Sequence, residues 1–430
     1  MDNVKYNEKV NERIYFKRLS NGMKCYIIPK QGYVEKQAML GVNYGSVDYV
    51  FSTDGKDYVQ PAGVAHFIEH KMFDNKEVNV FERFMDLKAS VNAFTNFTST
   101  AYYFSSSDNF YECLKLLLGF VGRPHFTDEN VEKEKPIIAQ EIEMYEDNPF
   151  WVMYFNLLGV LYEENPIRQK IAGSVEGIQE ISPEILYQGY NAFYRPENMV
   201  LCCVGEVDPE RAAEAAENCV AIGKPMDAER SYGQEPEAVA VRHSEKSMAL
   251  ARPMFQLGFK DTDFDTEYAE RVISTKILLD VLFGDSSAFF ERIYSEGLID
   301  GPFALEYAAS SFYGTAVCSN SANNPREARD SVLCEIDRAK VDGLDEKRFE
   351  QIRRKHLGRF IRSLNSIESV SHGQMELAFR GLDLFDILQT YQSVSFAQVC
   401  NRLERLFRDD NYATSVIMPF NNTPFTIGSG

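Results

Sequence analysis

The segment Gly63-Val64-Ala65-His66-Phe67-Ile68-Glu69-His70-Lys71-Met72-Phe73 holds two imidazoles and a carboxylate at spacings that acquire meaning on a helix. Residues four apart project from one face, so His66 and His70 converge, with Glu69 beside them. That set suits a catalytic zinc. Two neutral nitrogens can bind the ion, a carboxylate stands where it can take a proton from water, and a third protein ligand must come from elsewhere. The order His-x-x-Glu-His inverts the commoner His-Glu-x-x-His pattern. Either histidine alone would read more simply as a hydrogen-bonded core or surface residue, and a five-residue match can arise by accident. The pair with its glutamate, among Val64, Phe67, Ile68, Met72 and Phe73, is harder to explain in that way.

The elements that must position these residues follow from local pattern. Strands are expected at 23–29, after the turn-forming Asn21-Gly22, and at 37–44, ending at Gly45-Ser46. The histidine helix follows a loop with Pro61, which is tolerated near a helix start. A short amphipathic helix is expected over 80–88. The Thr-, Phe- and Tyr-rich run 91–104 reads as one or two strands, and 108–121 as a helix. A long acidic helix then begins near Thr127, with Asp128 and Glu129 in its first turn, where the helix dipole favours them. Glu134 and Glu141 lie two turns apart on one face of it. Pro136 should bend this helix or mark its start, because proline lacks the amide donor and crowds the preceding turn. Helices at 151–162, 183–193 and 209–219 and a strand at 199–204 complete the first half.

The stretch 223–242, polar and poor in periodicity, reads as a linker between a first domain, 1–222, and a second, 243–430. After it the order of elements begins again, with strands at 254–260, 312–319 and 413–418 and helices at 267–283, 286–295, 326–340, 346–364, 371–389 and 396–407. Two halves of similar size and order imply an α+β chain of two duplicated α/β sandwich domains, each a mixed or antiparallel sheet with helices packed on it. The second half carries no histidine where the metal helix would stand, so metal chemistry belongs to the first.

At 430 residues, 44% of them hydrophobic, the chain can bury two sizeable cores. A formal charge of -19 argues against nucleic acid as a partner, since phosphate is repelled. No apolar run approaches the length of a membrane span. The eight cysteines are scattered without a Cys-x-x-Cys pair, and several lie in apolar runs such as Val200 to Val204. Buried reduced thiols are the natural reading, and with no apolar leader at the N-terminus they imply a cytoplasmic protein.

The chain resembles the pitrilysin and insulinase family of zinc peptidases, which includes the mitochondrial processing peptidase. The resemblance rests on the inverted motif, on Glu134-Lys135-Pro136-Ile137-Ile138-Ala139-Gln140-Glu141 downstream of it, on Tyr44 to Asp48, on Asn92-Ala93-Phe94-Thr95, and on Tyr194 to Val200 leading into Gly205-Glu206-Val207-Asp208. It implies His66, His70 and Glu141 as zinc ligands, Glu69 as general base, Glu134 as a glutamate that steadies the site, and Asn92, Ala93, Phe94 and Thr95 as a substrate-binding edge strand. Helical phase disfavours Glu143. One departure stands out: where the family presents an Arg and a Tyr to the oxyanion, the segment Phe290 to Asp300 holds Asp300 at the Tyr position, and Arg292 and Tyr294 fit only in a shifted register. Family members of this length look like halves of a clamshell. The expected function is therefore a zinc metalloendopeptidase for short or unfolded peptides, working in a chamber formed as a heterodimer with a homologous chain that lacks zinc and supplies Arg and Tyr; a homodimer is the second choice. The alternative is a weak or inactive zinc-bound assembly or peptide-binding subunit.

Overall fold

The computed structural model describes residues 1–74, 79–217 and 228–420. Part of the expected linker, 223–227, and the end of the 209–219 helix lie outside the described residues. The strands are β1 (Asn3–Asn7), β2 (Glu12–Arg18), β3 (Lys24–Pro29), β4 (Lys36–Val42), β5 (Val50–Thr53), β6 (Lys56–Val59), β7 (Ala89–Thr95), β8 (Thr100–Ser106), β9 (Met199–Gly205), β10 (Glu229–Arg230), β11 (His243–Met248), β12 (Met254–Lys260), β13 (Ala304–Ala309), β14 (Gly314–Ser321) and β15 (Tyr412–Pro419). One sheet has the order β1-β2-β3-β9-β4-β8-β7 and another β11-β15-β12-β14-β13. In each, a single parallel pair, β3 with β9 or β11 with β15, is followed by antiparallel neighbours. The five strands from β3 to β7 in the first sheet thus repeat in the second. This is the duplicated α+β architecture the sequence implies. A small sheet, β10-β5-β6, completes the set.

Alternation along β4 and β8 divides the first sheet into two faces. Ala38, Leu40 and Tyr102 join the core formed with the histidine helix and the helix Phe110–Val121. Met39 and Ala101 face Met375 on the helix Ile367–Ala378. In the second sheet Met254 and Ile417 pack on Val152 and Met153 of the helix Pro149–Leu161. The compact units are therefore discontinuous in sequence. One comprises Met1–Glu143, Gln169–Tyr232 and Arg359–Leu388; the other comprises Met144–Arg168, Gly233–Gly358 and Gln389–Gly430. They differ from the contiguous halves 1–222 and 243–430 by this exchange of helices. An amphipathic pattern says that a helix covers a sheet, not which sheet it covers.

Glycine lets each covering helix approach closely. A Cβ on Gly258 in β12 would lie 2.8 Å from Leu157, and one on Gly41 in β4 would collide with Met375. Gly258→Val should destabilise the protein by about 1–3 kcal/mol through overpacking, read as a lowered melting temperature. An unchanged transition would mean that the helix Pro149–Leu161 yields without cost.

Other differences from the sequence reading have local causes. The acidic helix runs unbroken over Asp128–Glu146 with Pro136 inside it. Pro136 and Glu132, whose carbonyl loses its amide donor, are both exposed, so water can meet that carbonyl. The helix expected at 371–389 is two helices, Ile367–Ala378 and Leu384–Ser393, separated by Gly381 at φ 73°. Among the described residues no helix is long and apolar enough to cross a membrane.

Candidate metal centre

The histidine helix spans Val64–Met72 and starts after Gly63, whose φ of 102° is left-handed. A side chain there would be strained, and its Cβ would meet the Ala172 carbonyl at 2.5 Å. Val64, Ala65, Phe67, Ile68 and Met72 anchor the helix in the core, which leaves the face with His66, Glu69 and His70 turned to the acidic helix. His66 is 8% and Glu69 9% exposed. The imidazole rings stand 4.6 Å apart.

Glu141 reaches both. Its two carboxylate oxygens lie 3.6 Å from His66 Nε2 and 3.3 Å from His70 Nε2. One donor atom from each of His66, His70 and Glu141 falls within 4.8 Å of the others. Two turns earlier on the same helix, Glu134 Oε1 is 3.1 Å from His70 Nδ1, and its other oxygen accepts from Lys71 Nζ at 3.0 Å. Glu134 thereby assigns the His70 Nδ1 proton and frees Nε2 for the shared point. The buried His66 Nδ1 has no such partner among the described residues. Glu143, two positions on, is exposed.

The electrostatics show which charge the cluster favours. Burial pulls the His70 pKa down, but its hydrogen bonds to Glu134 and Glu141 outweigh this and carry it up to about 9. The two imidazoles hold Glu141 far below the usual carboxylate range. Burial pushes Glu134 up, yet the hydrogen bonds from His70 and Lys71 leave it lowered. Glu69 moves the other way, raised by burial against the pull of His66 and of a hydrogen bond from Thr95. The place between Glu134 and Glu141 therefore favours positive charge. A donor set of two imidazole nitrogens and one carboxylate, with a second carboxylate behind one imidazole, fits a divalent zinc.

A cleft of about 590 Å³ opens beside Glu69 and His70, walled by Phe73, Phe81, Asn92 and Ala93. The four residues expected on the substrate strand diverge. Asn92 and Ala93 line the cleft, whereas Phe94 stacks on His372 at 4.4 Å and Thr95 bonds Glu69. Lys71 was not singled out from the sequence. A charged residue next to His70, on the helix face that also carries the buried Phe67 and Ile68, was the available signal.

The chain thus joins a duplicated α+β fold to a cluster of two histidines and a glutamate that could hold a metal ion. Residues 55–174 match the pattern of "Insulinase (Peptidase family M16)", and residues 180–355 that of "Peptidase M16 inactive domain". The chain is 36% identical over 422 residues to "Uncharacterized zinc protease YmfH" of Bacillus subtilis, covering 96% of this chain and 98% of the relative. It is 24% identical over 381 residues to "Uncharacterized zinc protease YmxG" of the same organism, covering 84% and 90%. A "putative M16-like peptidase" of Alicyclobacillus acidocaldarius has a similar structure, with 34% identity, a TM-score of 0.91 and coverage of 95% and 98%. Pitrilysin shares the fold at 16% identity and a TM-score of 0.75; 97% of this chain matches 46% of the pitrilysin chain. This protein belongs to peptidase family M16, the pitrilysin and insulinase family.

Proposed function

We propose that the chain is the zinc-bearing subunit of a peptidase acting on short or unfolded peptides. The convergence of His66, His70 and Glu141 with Glu69 beside them carries this reading. When bound, zinc supplies Lewis acidity and lowers the pKa of water towards neutrality. Glu69 takes a proton from water as the water oxygen bonds to the scissile carbonyl carbon. It then returns that proton to the amide nitrogen as the C–N bond breaks. Since β7 ends its sheet, an extended peptide can add beside Asn92 and Ala93 through backbone hydrogen bonds, with little demand on sequence. The free, buried Cys25, Cys202, Cys203 and Cys318 favour a reducing, cytoplasmic setting.

The developing oxyanion needs donors, and the second half offers poor ones. Asp300 pairs with Arg252, Tyr294 is exposed, and Arg292 leans 3.7 Å from the Glu335 carboxylate. A partner of like fold supplying Arg and Tyr would complete the reaction, and the match of this chain to about half of pitrilysin supports such pairing. The test joins metal analysis to a quenched-peptide assay, with and without a co-expressed homologous chain that lacks the histidine motif. Activity should require both chains. A fully active homodimer overturns the heterodimer, and zinc-free active protein overturns the whole reading.

Lys71 is 2% exposed and is held by Glu134 and Asp74. Lys71→Met leaves Glu134 without its cation and so weakens its hold on His70. Zinc affinity, measured by chelator competition, should fall about 10-fold, within the usual range for positions behind a ligand. Unchanged affinity would confine Lys71 to a structural role.

A further inference from the structure

We propose that Thr95 is a positioning residue for the general base: its hydroxyl fixes the Glu69 carboxylate through Oε2 and so leaves Oε1 turned to water. This rests on the peptidase reading above. Thr95 Oγ1 donates to Glu69 Oε2 at 2.6 Å, which engages one carboxylate oxygen and leaves Oε1 for water. The same Oγ1 lies 3.2 Å from Thr100 Oγ1, and buried Thr100 donates to the Tyr44 carbonyl at 2.9 Å. Thr100 thus spends its one hydrogen on a carbonyl that can only accept and does not compete for Glu69, which receives the one hydrogen of Thr95.

Each hydrogen in the row can then be accounted for in both states of Glu69. While Glu69 is ionised, the Thr95 hydrogen points at it. Once the water O–H bond breaks and the proton sits on Oε1, Oε2 is the carbonyl oxygen of the carboxyl group and still accepts from Thr95. When the proton leaves Oε1 for the amide nitrogen, the carboxylate is restored with the Thr95 hydrogen bond still in place. A carboxyl group almost wholly removed from solvent therefore keeps a hydrogen-bond partner on Oε2 in both forms, with no loss of a buried bond between them.

The scaffold holds Thr95 in place for this. Thr95 and Thr100 face one another at the closed end of the β7–β8 hairpin. Within the turn, Asn96 Oδ1 accepts from the Thr98 and Ser99 amides at 2.8 and 2.7 Å. Glu376, on the helix Ile367–Ala378, accepts from Asn96 Nδ2 at 3.0 Å and from Ser99 Oγ at 2.7 Å. Gly45 allows the turn to lie against the chain there, since a Cβ on it would collide with the Phe97 carbonyl. The hydroxyl is carried on a pinned hairpin, not on a free loop.

The test compares Thr95→Val, which keeps the β-branched shape without the hydroxyl, with Thr95→Ser, which keeps the hydroxyl. Loss of a hydrogen bond to a charged group should lower kcat of the complex by roughly 10- to 100-fold in Thr95→Val, with KM and zinc content unchanged, and Thr95→Ser should recover most of it. In metal-free protein, the Glu69 carboxylate stretch, isolated as an infrared difference against Glu69→Gln, should shift in Thr95→Val and hold in Thr95→Ser. Parent kcat and an unmoved band in Thr95→Val overturn the proposal, as does equal loss in both variants, which would assign the effect to packing. If Glu69→Gln itself retains full activity, Glu69 is not the base, and if the parent complex cleaves no peptide, the peptidase reading fails instead, so the failures can be told apart.

Discussion

Glu69→Gln protein should bind zinc as the parent does and hydrolyse a quenched peptide about 10²- to 10⁴-fold more slowly, the usual contribution of a placed general base. The substitution is close to silent in shape. Its carbonyl oxygen can still accept from Thr95, so the 2.6 Å hydrogen bond survives, while its amide cannot take a proton from water. His66, His70 and Glu141 are untouched, and their donor atoms remain within 4.8 Å of one another. Metal content and rate measured on one preparation separate the two effects. Full hydrolysis by zinc-loaded Glu69→Gln protein would remove Glu69 from the mechanism, whereas loss of zinc as well as rate would mean that Glu69 helps to hold the ion.

Much of this centre was legible because helical spacing is a local property. His66 and His70 share a face whatever the tertiary fold, and so do Glu134 and Glu141. That the two faces meet is a tertiary fact no spacing contains; resemblance pointed to it, and the structure brings Glu141 to 3.3 Å from His70. Thr95 illustrates the limit. Its strand was readable from β-branched and aromatic residues, but its aim at Glu69 depends on a hairpin tip pinned by Glu376, 280 positions later. Two of the strands that the sequence does not announce have local causes. His243–Met248 is a polar edge strand without apolar alternation, and Ala304–Ala309 is rich in alanine, which has weak strand preference. The helices Pro149–Leu161 and Ile367–Ala378 advertise apolar faces, yet only the glycines beneath them, Gly258 and Gly41, hint at which strands they meet.

Glu141→Gln should cost the protein its zinc, and with it all metal-dependent hydrolysis. The carboxylate is the donor that ties the acidic helix to both imidazoles, and a neutral amide replaces its charge with a weaker oxygen donor. The loss of affinity should exceed the about 10- to 100-fold expected for a residue behind a ligand, so Glu141→Gln should fall below Lys71→Met in the same chelator competition. Glu143→Gln, two positions on and exposed, should leave affinity and rate at the parent level. The order of the three variants carries the argument, because an acidic helix acting only through its overall charge would weaken binding alike for Glu141→Gln and Glu143→Gln. Equal effects of those two would return Glu141 to the status of one carboxylate among many, and parent affinity in Glu141→Gln would require the third donor to be sought elsewhere.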